Sequence, residues 1–259
     1  MQNGGMTLAA AYAHPLTTLF APKVADYAAA RPDYPAALFD WLAERVPAQP
    51  AVLDLGAGTG LLTQGLLARG WAVLAVEPET GMRAACDAAL AGQAGYRSAA
   101  GQAEALPCAD ACLDLITAAQ CFHWFDIPRA RAECHRVLRP GGRIALVWND
   151  RLAGDPLHQD MDAVFNEFGG AQRGALLAHE ERDRISEFFT GPQELWEGPH
   201  AHGLGLDGLL ALAFSRSYMP ARDSATGQAA SAALQQVFLR HAVAERVLVR
   251  YQTVCHLGA

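Results

Sequence analysis

Residues 52–60 read Val-Leu-Asp-Leu-Gly-Ala-Gly-Thr-Gly, and this stretch decides the fold. The apolar residues before Gly56 predict a buried strand, and Leu61 begins a pattern typical of a helix. Glycine permits a tight turn and lets a ligand approach the backbone closely. The helix after the turn presents free backbone N–H groups. A strand, a glycine turn and a helix in this order predict a ligand-binding turn.

Two acidic residues near this turn indicate the kind of ligand. Glu77 ends the next predicted strand, where a carboxylate can bind both hydroxyls of a ribose. Asp54 stands two residues before Gly56, where it would repel a pyrophosphate but attract an ammonium or sulfonium group. The spacing is Gly-x-Gly-x-Gly, whereas dinucleotide-binding turns prefer Gly-x-Gly-x-x-Gly. An NAD-dependent oxidoreductase therefore explains Glu77 but neither Asp54 nor the glycine spacing, and it stays the alternative.

Apolar runs and helical patterns alternate on both sides of the turn. This alternation predicts βαβ units in a doubly wound, mostly parallel sheet with right-handed crossovers. The predicted strands in this part are 51–55, 72–76, 96–99, 113–118 and 143–148, and the helices are 61–69, 81–90 and 127–138. Farther on, helices are predicted at Asp155–Phe168, Glu180–Phe189, Asp207–Phe214 and Ala225–Ala244, with strands at Leu195–His202 and Val247–Cys255.

Composition excludes several classes of protein. The 259 residues carry a net charge of −7 and are 51% hydrophobic, so a globally basic surface for nucleic acid is absent. No apolar run reaches the ~18 to 20 residues of a membrane span, and no secretory signal begins the sequence. The six cysteines include no Cys-x-x-Cys pair. We therefore expect a cytoplasmic protein with reduced thiols and no metal site.

Taken together, the motifs resemble those of class I S-adenosylmethionine-dependent methyltransferases. Val52–Gly60 is similar to the family's first cofactor motif, Val76–Pro78 to its ribose-binding acid, and Gly101–Pro107 to its adenine-side loop. Tyr27-x3-Arg31-Pro32-x-Tyr34-Pro35 and Phe122–Phe125 are similar to a small-molecule branch that includes trans-aconitate methyltransferase-like proteins. The resemblance implies S-adenosyl-L-methionine as the cofactor and a small-molecule methyl acceptor as the partner.

This family implies a single α/β domain over residues 1–259. Its fold is a doubly wound, Rossmann-like, mostly parallel seven-stranded sheet with helical insertions that form a cover. Residues 20–150 would be the cofactor-binding core, 151–245 the helical cover and acceptor region, and 246–257 the closing strand. Tyr27–Tyr34 is expected to join the cover from the other end of the chain. No oligomeric state is predicted.

The resemblance also gives roles to individual residues. Glu77 would accept hydrogen bonds from both ribose hydroxyls, and Asp54 would face the methionyl ammonium. Tyr27 and Arg31 would fold over the cofactor carboxylate. The full set of candidate cofactor-binding residues is Tyr27, Arg31, Asp54, Gly56, Ala57, Gly58, Gly60, Glu77, Pro78, Met82, Gln102, Ala103, Glu104, Gln120 and Phe122.

Methyl transfer is an in-line displacement at carbon, for which orientation and exclusion of water supply most of the catalysis. His123 is the candidate catalytic residue, as a general base, and its alternative role is to orient its loop. Arg216, Tyr218 and Arg222 are candidates for an acceptor pocket, with surface ion pairs as the alternative. A protein that binds S-adenosylmethionine without catalysing transfer is the non-enzymatic alternative.

Overall fold

The computed structural model describes residues 23–171, 173–174, 184–189 and 191–259. Within these ranges seven strands form one sheet: β1 (Ala51–Leu55), β2 (Ala72–Val76), β3 (Tyr96–Ala99), β4 (Leu113–Ala119), β5 (Leu138–Arg151), β6 (Glu194–Leu204) and β7 (Val247–Gly258). Their order across the sheet is β3-β2-β1-β4-β5-β7-β6. The strands from β3 to β5 are parallel, and β7 is antiparallel to both of its neighbours. The predicted doubly wound, mostly parallel sheet is confirmed.

The described helices connect these strands and flank the sheet. They are α1 (Val24–Ala30), α2 (Ala36–Ala43), α3 (Leu61–Leu67), α4 (Thr80–Ala89), α5 (Ile127–Val137), α6 (Pro156–Phe168), α7 (Ile185–Phe188), α8 (Leu206–Phe214) and α9 (Ala225–His241). Of the predicted helix Glu180–Phe189, residues 180–183 lie outside the described ranges. No helix in the described part of the chain is long and apolar enough to cross a membrane.

The core lies on both faces of the sheet because the parallel strands are apolar on both sides. Side chains alternate along a strand, so Leu53 and Leu55 of β1 pack against α5 and α7, while Val52 packs against α2 and α3. The Asp126 side chain caps α5 by accepting the Arg129 N–H. The domain thus has three layers, with the sheet between two layers of helices. The carboxyl ends of the parallel strands lie along one edge of the sheet.

A third core cluster lies beyond this edge. Strand β5 ends where Arg151 pairs with Tyr251, but β6 and β7 continue together as far as the Leu204–Val247 pair. Helices α1, α6, α8 and α9 pack with the projecting part of β7 in this cluster. The projection and its helices therefore stand next to the carboxyl ends of the parallel strands.

Two predictions about the later part of the chain need correction. Residues 246–257 do form a strand, but it lies inside the sheet and β6 forms the edge. Burial explains the placement, since most of β7 is buried whereas most of β6 is exposed or half-exposed. The strand predicted at Leu195–His202 is present as β6. Helix α9 also ends before Ala244, because Ala244 and Glu245 adopt left-handed φ angles of 49° and 59°.

Candidate functional site

The glycine turn lies between β1 and α3. Gly56, Gly58 and Gly60 have φ angles of +65°, +57° and +90°, in the left-handed region that favours glycine. A Cβ atom on Gly56 would meet the Cys121 Sγ atom at 2.8 Å, and one on Gly60 would meet the Cys86 Sγ atom at 2.8 Å and the Leu90 Cδ1 atom at 2.9 Å. A Cβ atom on Gly58 would have only the Tyr27 Cε1 atom nearby, at 3.9 Å. Gly58 is therefore the glycine at which the turn borders open space.

Glu77 follows β2 and holds the glycine turn in place. Its Oε2 atom accepts the Gly58 N–H at 2.9 Å, and its Oε1 atom accepts the Glu79 N–H at 2.9 Å. Each carboxylate oxygen keeps a second lone pair for another donor, such as a hydroxyl. Burial raises the pKa of Glu77. The structure thus brings this acid to the turn, with acceptor capacity left for two hydroxyl groups.

Asp54 is buried beneath the turn. Its Oδ2 atom accepts the Thr63 hydroxyl at 2.5 Å, and its Oδ1 atom accepts the Thr117 hydroxyl at 2.8 Å. Burial raises the pKa of Asp54 to about 6, although both hydroxyl groups oppose the increase. At neutral pH the carboxylate is ionised in a place that favours a cationic ligand. The two threonines were not predicted, because Thr117 reaches Asp54 only through the pairing of β4 with β1, and Thr63 only through the packing of α3.

A cleft of about 330 Å³ opens in front of Glu77. Met82 and Ala103 are its buried apolar lining, at 3% exposure each. Glu104 accepts the Asp126 N–H at 2.8 Å and so ties the loop after β3 to the start of α5. The predicted residues that line the cleft are Tyr27, Gly56, Gly58, Glu77, Pro78, Met82, Gln102, Ala103, Glu104 and Gln120. Further lining residues include Glu79, Cys121, Trp124 and Phe125.

A second cavity, of about 180 Å³, adjoins the cleft. Tyr27, Gly56, Ala119 and Gln120 line both cavities. Gln120 directly follows β4 and has a left-handed φ of 58°, an uncommon conformation for a residue other than glycine. Its backbone N–H donates a hydrogen bond to the Val147 carbonyl at 3.0 Å. The two cavities therefore meet at the carboxyl end of β4.

Tyr27 and Arg31 reach this junction from α1. The Arg31 guanidinium lies 4.7 Å from the centroid of the Tyr27 ring. Its Nε atom donates to the Ser215 Oγ atom at 2.8 Å, just after α8. Both residues line the second cavity, together with Asp54 and Ala57. The structure thus brings the predicted residues before β1 to the same place as the acid beneath the turn.

The short helical turn Phe122–Trp124 places neighbouring aromatic residues differently. His123 lines the second cavity, and its ring centroid is 4.7 Å from that of Trp124. Phe122 is buried in the core against Trp148 and Phe188 and lines neither cavity. Gly60 also lines neither cavity, since it serves the packing of α3 on α4. The structure does not bring Phe122 and Gly60 to the site.

Later parts of the chain complete the second cavity. Arg216 and Tyr218, which follow α8, line it as the sequence suggested. Arg222 does not, because it lies 3.6 Å from Asp26 as a surface ion pair. Arg151 and Tyr251, which form the last β5–β7 pair, were not predicted. Only the long-range pairing of these strands brings them together, and no local pattern shows it.

Comparisons with known proteins agree with this geometry. Residues 53–146 match the family model for a methyltransferase domain. An uncharacterized methyltransferase of Mycobacterium tuberculosis is 46% identical over 133 residues, which are 51% of this chain and 52% of that protein. A malonyl-[acyl-carrier protein] O-methyltransferase of Methylococcus capsulatus is 43% identical over 103 residues, 38% of this chain and 37% of that protein.

A solved structure is also similar over most of its length. It is assigned as a type II methyltransferase from Anaeromyxobacter dehalogenans, with 28% identity, a TM-score of 0.58, and coverage of 88% of this chain and 97% of that one. By contrast, the chain spans about half the length of the first curated relatives that it matches. The trans-aconitate-like branch stays a prediction. Over residues 53–146 the chain is therefore similar to methyltransferase domains, and this similarity supports S-adenosyl-L-methionine as the cofactor.

Proposed function

We propose that this chain transfers the methyl group of S-adenosyl-L-methionine to a small-molecule acceptor by in-line displacement. The observation that carries the proposal is the common wall of the two cavities, formed by Tyr27, Gly56, Ala119 and Gln120. Adenosine would occupy the cleft beside Glu77, and the acceptor would occupy the second cavity. The methyl group would then be presented at the junction, away from bulk water.

The residues present fit this cofactor. Glu77 retains acceptor capacity for a ribose diol, and the open space at Gly58 allows close approach of a ligand to the turn. Met82 and Ala103 offer an apolar slot suited to adenine. Asp54 supplies a buried negative charge for the methionyl ammonium. These acceptor and apolar side chains therefore match a cation that carries a ribose and a purine.

When bound, S-adenosylmethionine supplies an electrophilic methyl group on a sulfonium, which is a good leaving group. The chain's own task is to orient the acceptor and exclude water. Orientation of this kind can contribute on the order of 7 to 11 kcal/mol. Tyr27 and Arg31 would hold the methionyl carboxylate at the junction, where the Arg31 guanidinium already lies over the Tyr27 ring. The name of the Methylococcus relative supports methyl transfer.

Calorimetric titration and turnover together test the function. We expect the purified chain to bind S-adenosylhomocysteine and not NAD, and to transfer a tritiated methyl group to at least one member of a library of small acids, phenols, amines and thiols. Binding of NAD without S-adenosylhomocysteine would overturn the proposal. Binding of S-adenosylhomocysteine without turnover in any acceptor class would favour the non-catalytic alternative.

We further propose His123 as a general base, because it lines the acceptor side of the junction. With the acceptor found in the screen, His123→Gln should lower kcat about 100-fold to 10,000-fold and leave the affinity for S-adenosylhomocysteine unchanged. The acidic limb of the kcat profile, measured with saturating S-adenosylmethionine, should disappear as well. His135→Gln, on the exposed side of α5, is the matched control. A kcat within about threefold of the wild type would assign His123 to loop orientation.

A further inference from the structure

The connector between α1 and α2, residues 31–35, begins with a residue that cannot continue the helix. Arg31 precedes Pro32, and the residue before a proline is disfavoured in the helical region. Its φ and ψ angles are accordingly −68° and 141°, in the extended region. The carbonyl groups in the last turn of a helix have no partner within the helix. Since Ala30 ends α1 and is buried, its carbonyl needs a hydrogen-bond donor from elsewhere.

His202 of the edge strand β6 supplies this donor. Its Nε2 atom lies 3.2 Å from the Ala30 carbonyl oxygen, and because a carbonyl oxygen only accepts, Nε2 must carry the proton. The Nδ1 atom of the same ring is buried and has no hydrogen-bond partner in the described part of the chain. Burial lowers the pKa of His202. The imidazole is therefore neutral at pH 7, with its proton on Nε2.

The strands β6 and β7 orient this imidazole toward the connector. The His202 ring stacks on Tyr251, with centroids 5.7 Å apart and planes 13° apart, and Tyr251 lines the second cavity. Side chains two residues apart lie on the same face of a strand, so His200 faces the connector as well. Its Nε2 atom lies 2.8 Å from the Asp33 Oδ1 atom. Because the Asp33 side chain is mostly exposed, this ion pair contributes little, and the buried His202 contact is the stronger one.

The guanidinium of Arg31 and the far end of the connector are held by other elements. The Arg31 Nε atom donates to the Ser215 Oγ atom at 2.8 Å, and Nη2 donates to the Ser215 carbonyl at 3.4 Å. A guanidinium has five N–H donors, so these bonds leave donors for a ligand's carboxylate. The Asn149 Nδ2 atom, at the end of β5, donates to the Asp33 carbonyl at 2.9 Å. The backbone of Arg31 thus lies between two held carbonyl groups, those of Ala30 and Asp33.

We propose that His202 is a positioning residue for the cofactor. By donating to the Ala30 carbonyl, it holds the backbone of Arg31 so that the guanidinium faces the methionyl carboxylate. This inference rests on the proposed function, which assigns that carboxylate to Arg31 and Tyr27. Without the donor, the Ala30 carbonyl would be buried and unpaired, which disfavours this position of the backbone. The edge strand β6 would thereby take part in binding a ligand that lies at the glycine turn.

Two ligands separate positioning from general stability. S-Adenosylhomocysteine carries the methionyl carboxylate, whereas 5′-methylthioadenosine lacks it but keeps the adenosine and the thioether. In calorimetric titrations of the full chain, His202→Leu should weaken the binding of S-adenosylhomocysteine about tenfold, the factor for one charge-assisted hydrogen bond. The affinity for 5′-methylthioadenosine should change by less than about twofold, which also shows that the variant is folded.

Conservative and distant variants complete the experiment. His202→Gln keeps a side-chain N–H donor and should restore the affinity for S-adenosylhomocysteine to within about threefold of the wild type. His241→Leu is the matched control, because His241 is also half-buried or more and pairs with Asp160 outside both cavities. If His202→Leu does not fold, His202→Met, with its adaptable unbranched side chain, replaces it in the same comparison.

A double variant tests whether His202 acts through Arg31. Arg31→Gln should reproduce the selective loss, and Arg31→Gln with His202→Leu should lose no more than Arg31→Gln alone, because both changes remove the same contact. Equal weakening of both ligands by His202→Leu, unchanged S-adenosylhomocysteine binding in either single variant, additive losses in the double variant, or a glutamine variant as weak as the leucine variant would overturn the inference. Failure of the wild-type chain to bind either ligand would instead overturn the proposed function.

Discussion

Acidification from pH 7 to pH 5 should weaken the binding of S-adenosylhomocysteine, and Asp54 should be the cause. Burial raises the pKa of Asp54 from its ordinary 3.8 to about 6, so this carboxyl group is mostly ionised at pH 7 and mostly protonated at pH 5. Only the ionised form attracts the ligand's ammonium group. The protonated fraction changes from about one eleventh to about ten elevenths across this interval, which predicts a loss of affinity of about tenfold.

Calorimetric titration at half-unit steps between pH 5 and pH 7 measures this dependence. Asp54→Asn preserves the shape of the side chain and cannot ionise, so its affinity should be weak throughout and flat with pH. Asp114→Asn is the matched control, since Asp114 accepts the Ala51 N–H at the opposite edge of the sheet. The reasoning fails if the wild-type affinity is constant over this range, or if Asp54→Asn keeps the wild-type slope.

Three other expectations concern the cleft and its surroundings. Glu77→Ala should weaken cofactor binding by about 1.5 to 3 kcal/mol, the range for hydrogen bonds to a charged group, and a calorimetric change below about twofold would reduce Glu77 to a strand-end acid. Gly58→Leu should abolish binding in a folded protein, whereas Gly92→Leu, which has a similar φ of +77° but open surroundings outside the cleft, should bind normally in the same titration. Hydrogen exchange with S-adenosylhomocysteine should show added protection in Tyr27–Tyr34 and within Asp155–Tyr218, and a response confined to the glycine turn and Glu77 would contradict the cover.

Local sequence patterns predicted the first strands because their limits are local. Strands β1, β2 and β3 lie at the predicted residues, each bounded by glycine, proline or charged residues in the sequence. The fifth strand was predicted too short at its carboxyl end, because the polar residues 149–151 continue the strand by pairing with β7. The position of β7 inside the sheet has no local signal at all. Local sequence patterns carry no information about which distant strands pair.

The same distinction divides the site. The glycine turn and Glu77 were predicted because turn, strand end and acid follow one another closely along the chain. Arg151 and Tyr251 were missed because they meet only through the β5–β7 pairing. Phe122 was misplaced because a single helical turn after β4 decides which aromatic residue enters the core and which lines a cavity.

The inner position of β7 determines when the sheet can be completed during synthesis on the ribosome. In the described part of the chain, β6 lies at the edge of the sheet and pairs only with β7, which is synthesised roughly 40 residues later, a delay of about 2 to 8 seconds at ~5 to 20 residues per second. During that interval β6 has no partner in the sheet, and β5 presents an open edge, a known hazard for aggregation. A released chain truncated before residue 247 should therefore depend on chaperones far more than the released chain that includes β7.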